Sequence, residues 1–382
     1  MSGPNAAAPI FAIEVSTMAE REPTGISNVT RNLVREALGD ASVEPAFFMN
    51  RQRLPTAIMP KLLDGGGDIL WWIAGRVPDQ PWESSVLDRD VIGLFPWYKW
   101  HRRFFPFEIS FVHDLTPILA PQFHLEHTVA EMHEKLFGDL MSSDLLAAPS
   151  ASTIADVRAY FPELAAVPSV VAPLAPCSRP VARLAAPDAV EPYVVVLGTL
   201  EPRKNVRFVL EHLAANQDLL GRLVFVFVGR MGWGDEMSEL VATLGLEEQV
   251  ARGRIRFTGF VADAVRDRLL AHAVTVVYPS LYEGFGLPVV EALSFGVPVI
   301  TTWSSSLPEA GGDVAVYFDP NRVGTFAEAL DRVLRDERDP ELRASGAERR
   351  RAWAASMTWK RTYETIRDAA FGVLAARRRQ AA

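Results

Sequence analysis

Cysteine is nearly absent, with Cys177 standing alone in 382 residues. No disulfide can close within one chain and no cysteine-based metal cluster can form, so a reducing compartment, most simply the cytoplasm, is expected. Long apolar runs are missing too, and nothing approaches the ~18 consecutive apolar residues that span a bilayer. The opening "MSGPNAAAPIFAIEVS" lacks a charged segment followed by a long apolar run and does not read as a signal peptide. There is no excess of positive charge. Lys and Arg number 39 against 47 Asp and Glu, a formal net charge of −8, whereas a nucleic-acid binder normally carries a basic excess. Of the seven histidines, His124, His127 and His133 come nearest to a cluster and read as helix-surface residues. With no clustered Asp-x-Asp in a strand-end loop, no metal site is expected. No G-x-G-x-x-G follows the first strand of either half, which argues against a nicotinamide enzyme.

What is present is the composition of a soluble globular protein, 49% hydrophobic and 23% charged, in a chain too long for one ordinary core. An apolar run from Ile10 to Val15 leads through a polar loop, "TGISN", to a helical pattern of Val29, Leu33, Val34 and Leu38. Further runs at 68–75, 90–95, 108–115 and 144–150 continue an α/β pattern. Residues 172–193, rich in Ala and Pro, read as a connection. Beyond it, "YVVVLGTLEPRKN" restarts the strand–loop–helix scheme, and "LVFVFVG", "RIRFTGF", "TVVYPS" and "PVITT" follow as apolar runs suited to parallel strands covered on both faces. The fold expected is α/β, two Rossmann-like doubly wound parallel-sheet domains facing a cleft, with ligand at the carboxyl ends of the strands. The expected divisions are 1–178 for acceptor, 179–360 for donor, and a C-terminal helix over 361–382 packing back on the first domain. Arg377 to Arg379, near its end, read as a solvated terminus in preference to a contact with anionic lipid.

The stretch "SLYEGFGLPVVEALSFGVP" (280–298) poses a question. Gly284 and Gly286 permit a tight turn whose amides converge on an oxygen-rich anion, yet Glu283 and Glu291 flank it. Carboxylates repel phosphate but accept hydrogen bonds from pairs of hydroxyls. A ligand carrying both a diphosphate and polyols resolves the conflict. Pro288 suits the first turn of a helix, which would place Glu291 in that turn; taken alone, Glu291 is a helix-start acid favoured by the macrodipole. A diphosphate also needs cations. Arg203 and Lys204, in "GTLEPRKN" just after a strand, can supply them, although an adjacent Arg-Lys pair is more often plain surface charge.

These residues carry a family pattern. "GTLEPRKN", "VGRMGW", "RIRFTGFVAD" and the long segment from "VVYPSLYEGFG" to "VYFDP" resemble the C-terminal domain of family 4 glycosyltransferases, retaining enzymes of the GT-B architecture. "GISNVTRNL" and "FVHDLTPILAP" are similar to that family's N-terminal motifs. The resemblance implies transfer of a sugar from a nucleoside diphosphate to a hydroxyl, with configuration retained and no cofactor. Glu291 would hold the ribose hydroxyls and Glu283 the donor-sugar hydroxyls. Phe285, Gly286 and Leu287 would offer backbone amides. Arg203 and Lys204 would clamp the diphosphate beside Gly198 and Gly284. Gly25 would approach the phosphates, His113 would contact the donor sugar, and Val261 would lie beside the base. Without the family match, His113 reads equally well as a hydrogen-bonded histidine at a strand end. The resemblance implies a front-face route in which the departing phosphate takes the acceptor's proton. Glu283 is then a positioning group and not a nucleophile.

The acceptor side is carried by "LFPWYKWHRRFFPF" (94–107), where Trp97, Tyr98 and Trp100 interleave with Lys99, Arg102 and Arg103. Two readings stand level: a rim meeting a saccharide or an anionic membrane surface, and a loop that folds back to fill gaps beside the next strand. On the first, the acceptor is a polyprenyl-linked saccharide at the inner membrane surface. GDP-mannose is the donor expected first. The rivals are a nucleotide-sugar epimerase and a non-catalytic nucleotide-sugar binding protein of the same architecture.

Overall fold

The apolar runs become strands buried on both faces. In the computed structural model, which describes residues 8–20, 24–49, 52–64, 70, 90–99, 103–177, 191–230, 237–322 and 324–381, the chain forms two units. One comprises Met1–Leu174 with Thr358–Ala382, the other Ala175–Met357. The run at 68–75 and the "MGW" of "VGRMGW" lie almost wholly outside the described residues, as do Trp100 and Arg102.

The first unit is built on β1 (Ile10–Glu14), β2 (Glu44–Met49), β3 (Gln52–Leu54), β4 (Val91–Phe95), β5 (Phe107–Phe111), β6 (Leu145–Ala148) and β7 (Ser169–Val171). Among the described residues these form a seven-stranded sheet ordered β3-β2-β1-β4-β5-β6-β7, parallel except for the β2–β3 pair. Helix Gly25–Leu38 starts at a reciprocal cap. Thr24 Oγ1 accepts the Ser27 N–H, and Ser27 Oγ accepts the Thr24 N–H. Its buried stripe is Val29, Leu33, Val34 and Ala37, so Ala37 takes the place foreseen for Leu38.

The last helix, Trp359–Ala381, belongs to this first unit although it follows the second in sequence. Tyr363 is fully buried, stands edge-on to Phe11 at 5.5 Å, and donates to Asp40 at 3.1 Å. Arg367 pairs with the same Asp40 at 2.7 Å. Two of the terminal arginines stay solvent-exposed and have acidic partners: Arg377 reaches Asp144 at 2.6 Å and Arg378 pairs with Asp90.

The segment after β4 is where the structure corrects an expectation. Tyr98 and Lys99 are buried, so neither can line a rim. The Lys99 ammonium donates to Glu108 and to Ser143 Oγ, both at 2.9 Å, with Glu108 also buried. Glu108 takes the Phe104 and Phe105 N–H groups on its other oxygen. Phe105 is buried against Phe48 (5.0 Å) and lies over Gly93, where any Cβ would fall 2.2 Å from its ring. Arg103 stays half-exposed but bridges Pro106 O and Asp144. The described parts of 94–107 therefore fold back and fill the space beside β5.

The second unit contains β8 (Tyr193–Leu197), β9 (Val224–Val228), β10 (Ile255–Gly259), β11 (Thr275–Tyr278), β12 (Val299–Thr302) and β13 (Val316–Phe318). All pair in parallel in the order β10-β9-β8-β11-β12-β13. The order reverses between β8 and β11. In open parallel sheets that switch point, at the carboxyl ends of the strands, is where a crevice forms. The two loops that leave it are those carrying Arg203 with Lys204, and Glu283.

Candidate functional site

The loop after β8 begins at Gly198, whose φ of +138 favours glycine. Gly229, at the end of β9, passes so close that a Cβ there would lie 1.9 Å from the Gly198 carbonyl oxygen. The loop then forms the short 3-10 helix Pro202–Lys204, and Asn205 in the left-handed region starts helix Val206–Ala215. The loop after β11 is stitched to it. Leu281 N–H donates to Arg203 O at 2.9 Å, and Arg203 Nη1 donates to Tyr282 O at 2.9 Å. The loop after β12 closes the other side, since Glu283 N–H donates to Ser305 Oγ (2.8 Å) and Ser306 Oγ donates to Glu283 O (2.7 Å). Ser305 adopts φ +47, a left-handed conformation uncommon outside glycine.

The side chains of these loops converge on Glu283. Its Oε1 accepts from Lys204 Nζ at 2.6 Å, Tyr278 Oη at 2.8 Å and Ser280 Oγ at 2.5 Å. Its Oε2 lies 2.9 Å from Arg203 Nη1, while Arg203 Nη2 reaches Glu201 at 2.7 Å. Burial works against the Glu283 carboxylate, but Lys204, Arg203 and their hydrogen bonds outweigh it and hold its pKa at about 2. Burial pulls the Lys204 ammonium below the ordinary lysine value, with Glu283 opposing. Burial, reinforced by the Glu283 charge, drives the Tyr278 phenol well above its ordinary value, so it stays a donor.

Glu291 has a contrasting environment. It is the fifth residue of helix Leu287–Ser294, just past the first turn in which Pro288 led it to be expected. Gly286, at φ +110, caps that helix, and Phe285 buries its ring so that the chain here presents backbone. Burial pushes Glu291 up to about 7. Its nearest cation, Arg266, is 3.8 Å away and shared with Asp263 and Asp267, each at 3.0 Å. Val261, half-buried, lies between β10 and the helix Asp263–Ala271 that carries Arg266.

The structure thus brings Arg203, Lys204 and Glu283 into one bonded group, with Gly198 at its base and Gly284 to Leu287 beside it. Gly25 and His113 belong to the first unit. Gly25 is the exposed first residue of its helix. His113 is half-buried after β5, its Nε2 2.7 Å from Pro96 O; a carbonyl only accepts, so Nε2 carries the proton. Burial lowers its pKa. It lines a small pocket with Trp97, Tyr98, Asp114 and Asp139. Sequence reasoning passed over Tyr278, Ser280, Glu201, Ser305, Ser306 and Arg266. Tyr278 ends β11 and Ser280 opens the 280–298 stretch, positions that read as a core strand end.

Comparison with known proteins decides the family. The family model "Glycosyl transferases group 1" matches residues 185–353. The chain is 32% identical over 269 residues to O-antigen chain mannosyltransferase B of Escherichia coli, covering 68% of each protein. The chain is a group 1 glycosyltransferase. Sucrose-phosphate synthase from Thermosynechococcus elongatus superposes with a TM-score of 0.64 at 18% identity, over 97% of this chain and 100% of that one. Anabaena HepE, solved in complex with UDP, gives 0.59 at 17% identity, over 94% and 98%. At such identities these likenesses establish the architecture of the glycosyltransferase, which is GT-B. Among its described residues no helix is long and apolar enough to cross a membrane.

Proposed function

We propose that this glycosyltransferase moves a mannosyl group, from GDP-mannose before other donors, to a hydroxyl of a saccharide or lipid-linked saccharide during surface polysaccharide assembly. The transfer retains anomeric configuration and uses no metal. The observation that carries this reading is the meeting of Arg203, Lys204 and Glu283 at the switch point of the second sheet. The mannosyl assignment rests on similarity to O-antigen chain mannosyltransferase B.

In this reading the diphosphate lies against Arg203 and Lys204 and the amides of Gly284 to Leu287. The bond from the anomeric carbon to the β-phosphate oxygen breaks, and the two cations take up the charge that develops on that oxygen. The acceptor oxygen bonds to the anomeric carbon on the same face, and its proton passes to the departing phosphate. Glu283 accepts donor-sugar hydroxyls and fixes the ring; Glu291 accepts the ribose hydroxyls. Two carboxylates flanking the anomeric centre would be the glycosidase solution, whereas here Glu283 is already committed to Lys204 and Arg203.

A thermal-shift screen against UDP-, GDP-, dTDP- and CMP-sugars tests the donor class, with the largest stabilisation expected from GDP-mannose. Incubation with that donor and a manno-oligosaccharide, followed by proton NMR of the new linkage, tests transfer and configuration. An epimerase would convert the donor with no acceptor, and a binding protein would release no nucleotide. Glu283→Ala should abolish transfer while nucleotide binding stays measurable; unchanged turnover would remove Glu283 from the site.

A further inference from the structure

Four protein donors meet the Glu283 carboxylate: Lys204, Tyr278 and Ser280 on one oxygen and Arg203 on the other. Each carboxylate oxygen offers about two lone-pair sites, so Oε1 is fully subscribed by the protein and Oε2 is already paired with Arg203. The charges close as well, with Arg203 and Lys204 set against Glu201 and Glu283, and Arg203 touching both acids. An arriving diphosphate therefore meets cations that are already neutralised.

We propose that Glu283 gives the site its preference for an intact nucleoside-diphosphate sugar over the free nucleoside diphosphate, because it competes with the diphosphate for Arg203 and Lys204. This rests on the donor-site reading above. A bare diphosphate draws both cations away and leaves a buried carboxylate with only Tyr278 and Ser280 as donors, which is costly. A sugar nucleotide brings hydroxyl donors to the positions the cations leave, so both ends of the exchange are compensated. Once the sugar has been transferred, Glu283 reclaims the cations and the diphosphate product is released. Tyr278 is the positioning residue of this exchange. Its hydroxyl accepts from Lys204 at 2.7 Å and donates to Glu283 at 2.8 Å, and its ring lies 5.1 Å from the ammonium. It holds the carboxylate in place when Lys204 turns away.

Calorimetric titration of the full chain with inorganic pyrophosphate, which is independent of the base, tests the competition. GDP, UDP and their sugars are titrated alongside. Glu283→Gln, which removes the charge but keeps the shape, should bind pyrophosphate and the cognate diphosphate at least tenfold more tightly and the sugar nucleotide more weakly. Tyr278→Phe should move pyrophosphate the other way, because the abandoned carboxylate then has one donor fewer. A general loosening of the site would shift both variants together and overturn the proposal. Thermal unfolding checks that each variant folds, and Glu283→Asp, which withdraws the charge by one methylene, is the second variant and should tighten pyrophosphate to a smaller degree. If sugar nucleotides bind the wild type but folded Glu283→Gln or Glu283→Asp binds pyrophosphate no better, this proposal alone falls. If no sugar nucleotide binds the wild type, the donor reading falls and this inference with it.

Discussion

Glu291→Gln is expected to stabilise the protein while weakening the nucleotide grip, and the two effects have separable pH signatures. The carboxylate is buried and its pKa stands at about 7 against an ordinary 4.5. The folded state therefore keeps a proton that the unfolded chain gives up. As pH rises from 4.5 to 7 the wild type loses stability through this group, and above 7 the loss is constant because both states are charged. A shift of this size corresponds to roughly 3 kcal/mol. The physical source is burial, which Arg266 offsets only in part because it lies 3.8 Å from Glu291 and pairs more closely with Asp263 and Asp267.

The glutamine keeps the volume and the acceptor oxygen and removes the charge. Relative to wild type it should gain up to roughly 3 kcal/mol at pH 8, or roughly 6–12 °C in melting temperature for a domain of this size, and almost none at pH 4.5. Thermal and urea melts of both proteins at pH 5, 6, 7 and 8 measure this. A stability difference that stays flat across the series would refute the burial argument. In the proposed role, wild-type nucleotide affinity should fall as pH drops below 7, because a protonated Glu291 accepts ribose hydroxyls less well, and the variant should bind weakly at every pH. A variant that is more stable at pH 8 yet binds GDP or UDP as the wild type does would leave Glu291 a structural acid only.

Two further outcomes follow from packing. Lys99→Met removes the cation from the fully buried Glu108 and should cost about 3–5 kcal/mol in a urea melt, whereas Lys99→Met with Glu108→Gln should recover much of it; equal losses would place the pair at the surface. Gly229→Ala puts a Cβ 1.9 Å from Gly198 O and should cost about 1–3 kcal/mol while weakening pyrophosphate binding through the displaced Arg203 loop; a normal melt with normal binding would contradict the close approach.

The legible parts of this molecule are those whose physics is local. A glycine turn between two acids, a proline at a helix start and a cationic pair after a strand can each be read from a few adjacent residues. The misread parts depend on distant partners. Around Lys99 the alternating basic and aromatic residues suit a rim and an inward-folded loop equally, and the choice is fixed by Glu108 and by Ser143, 44 residues away. β2 was not foreseen at all: Pro45 lacks a ladder donor and discounts a strand, but it pairs with Phe11 in an interior strand near its beginning. Tyr278 reads as one more apolar residue closing a strand, and only the meeting of three loops shows that its hydroxyl joins Lys204 to Glu283.

The two glutamates that frame the Gly-Phe-Gly turn, with seven residues between them, are driven in opposite directions. Both are buried, so burial alone would raise both. Glu283 is held down at about 2 because two cations and two hydroxyls are aimed at it, and Glu291 is held up at about 7 because its single cation is already divided among other acids. A charge that persists at every working pH suits a group that must compete for a diphosphate's cations throughout the cycle. A carboxylate near its midpoint at neutral pH can adjust its ionisation to the hydroxyls it receives. Carboxylates at an anion site are contradictory only if they are taken as equivalent. Their environments assign one to the cations and leave the other free of them.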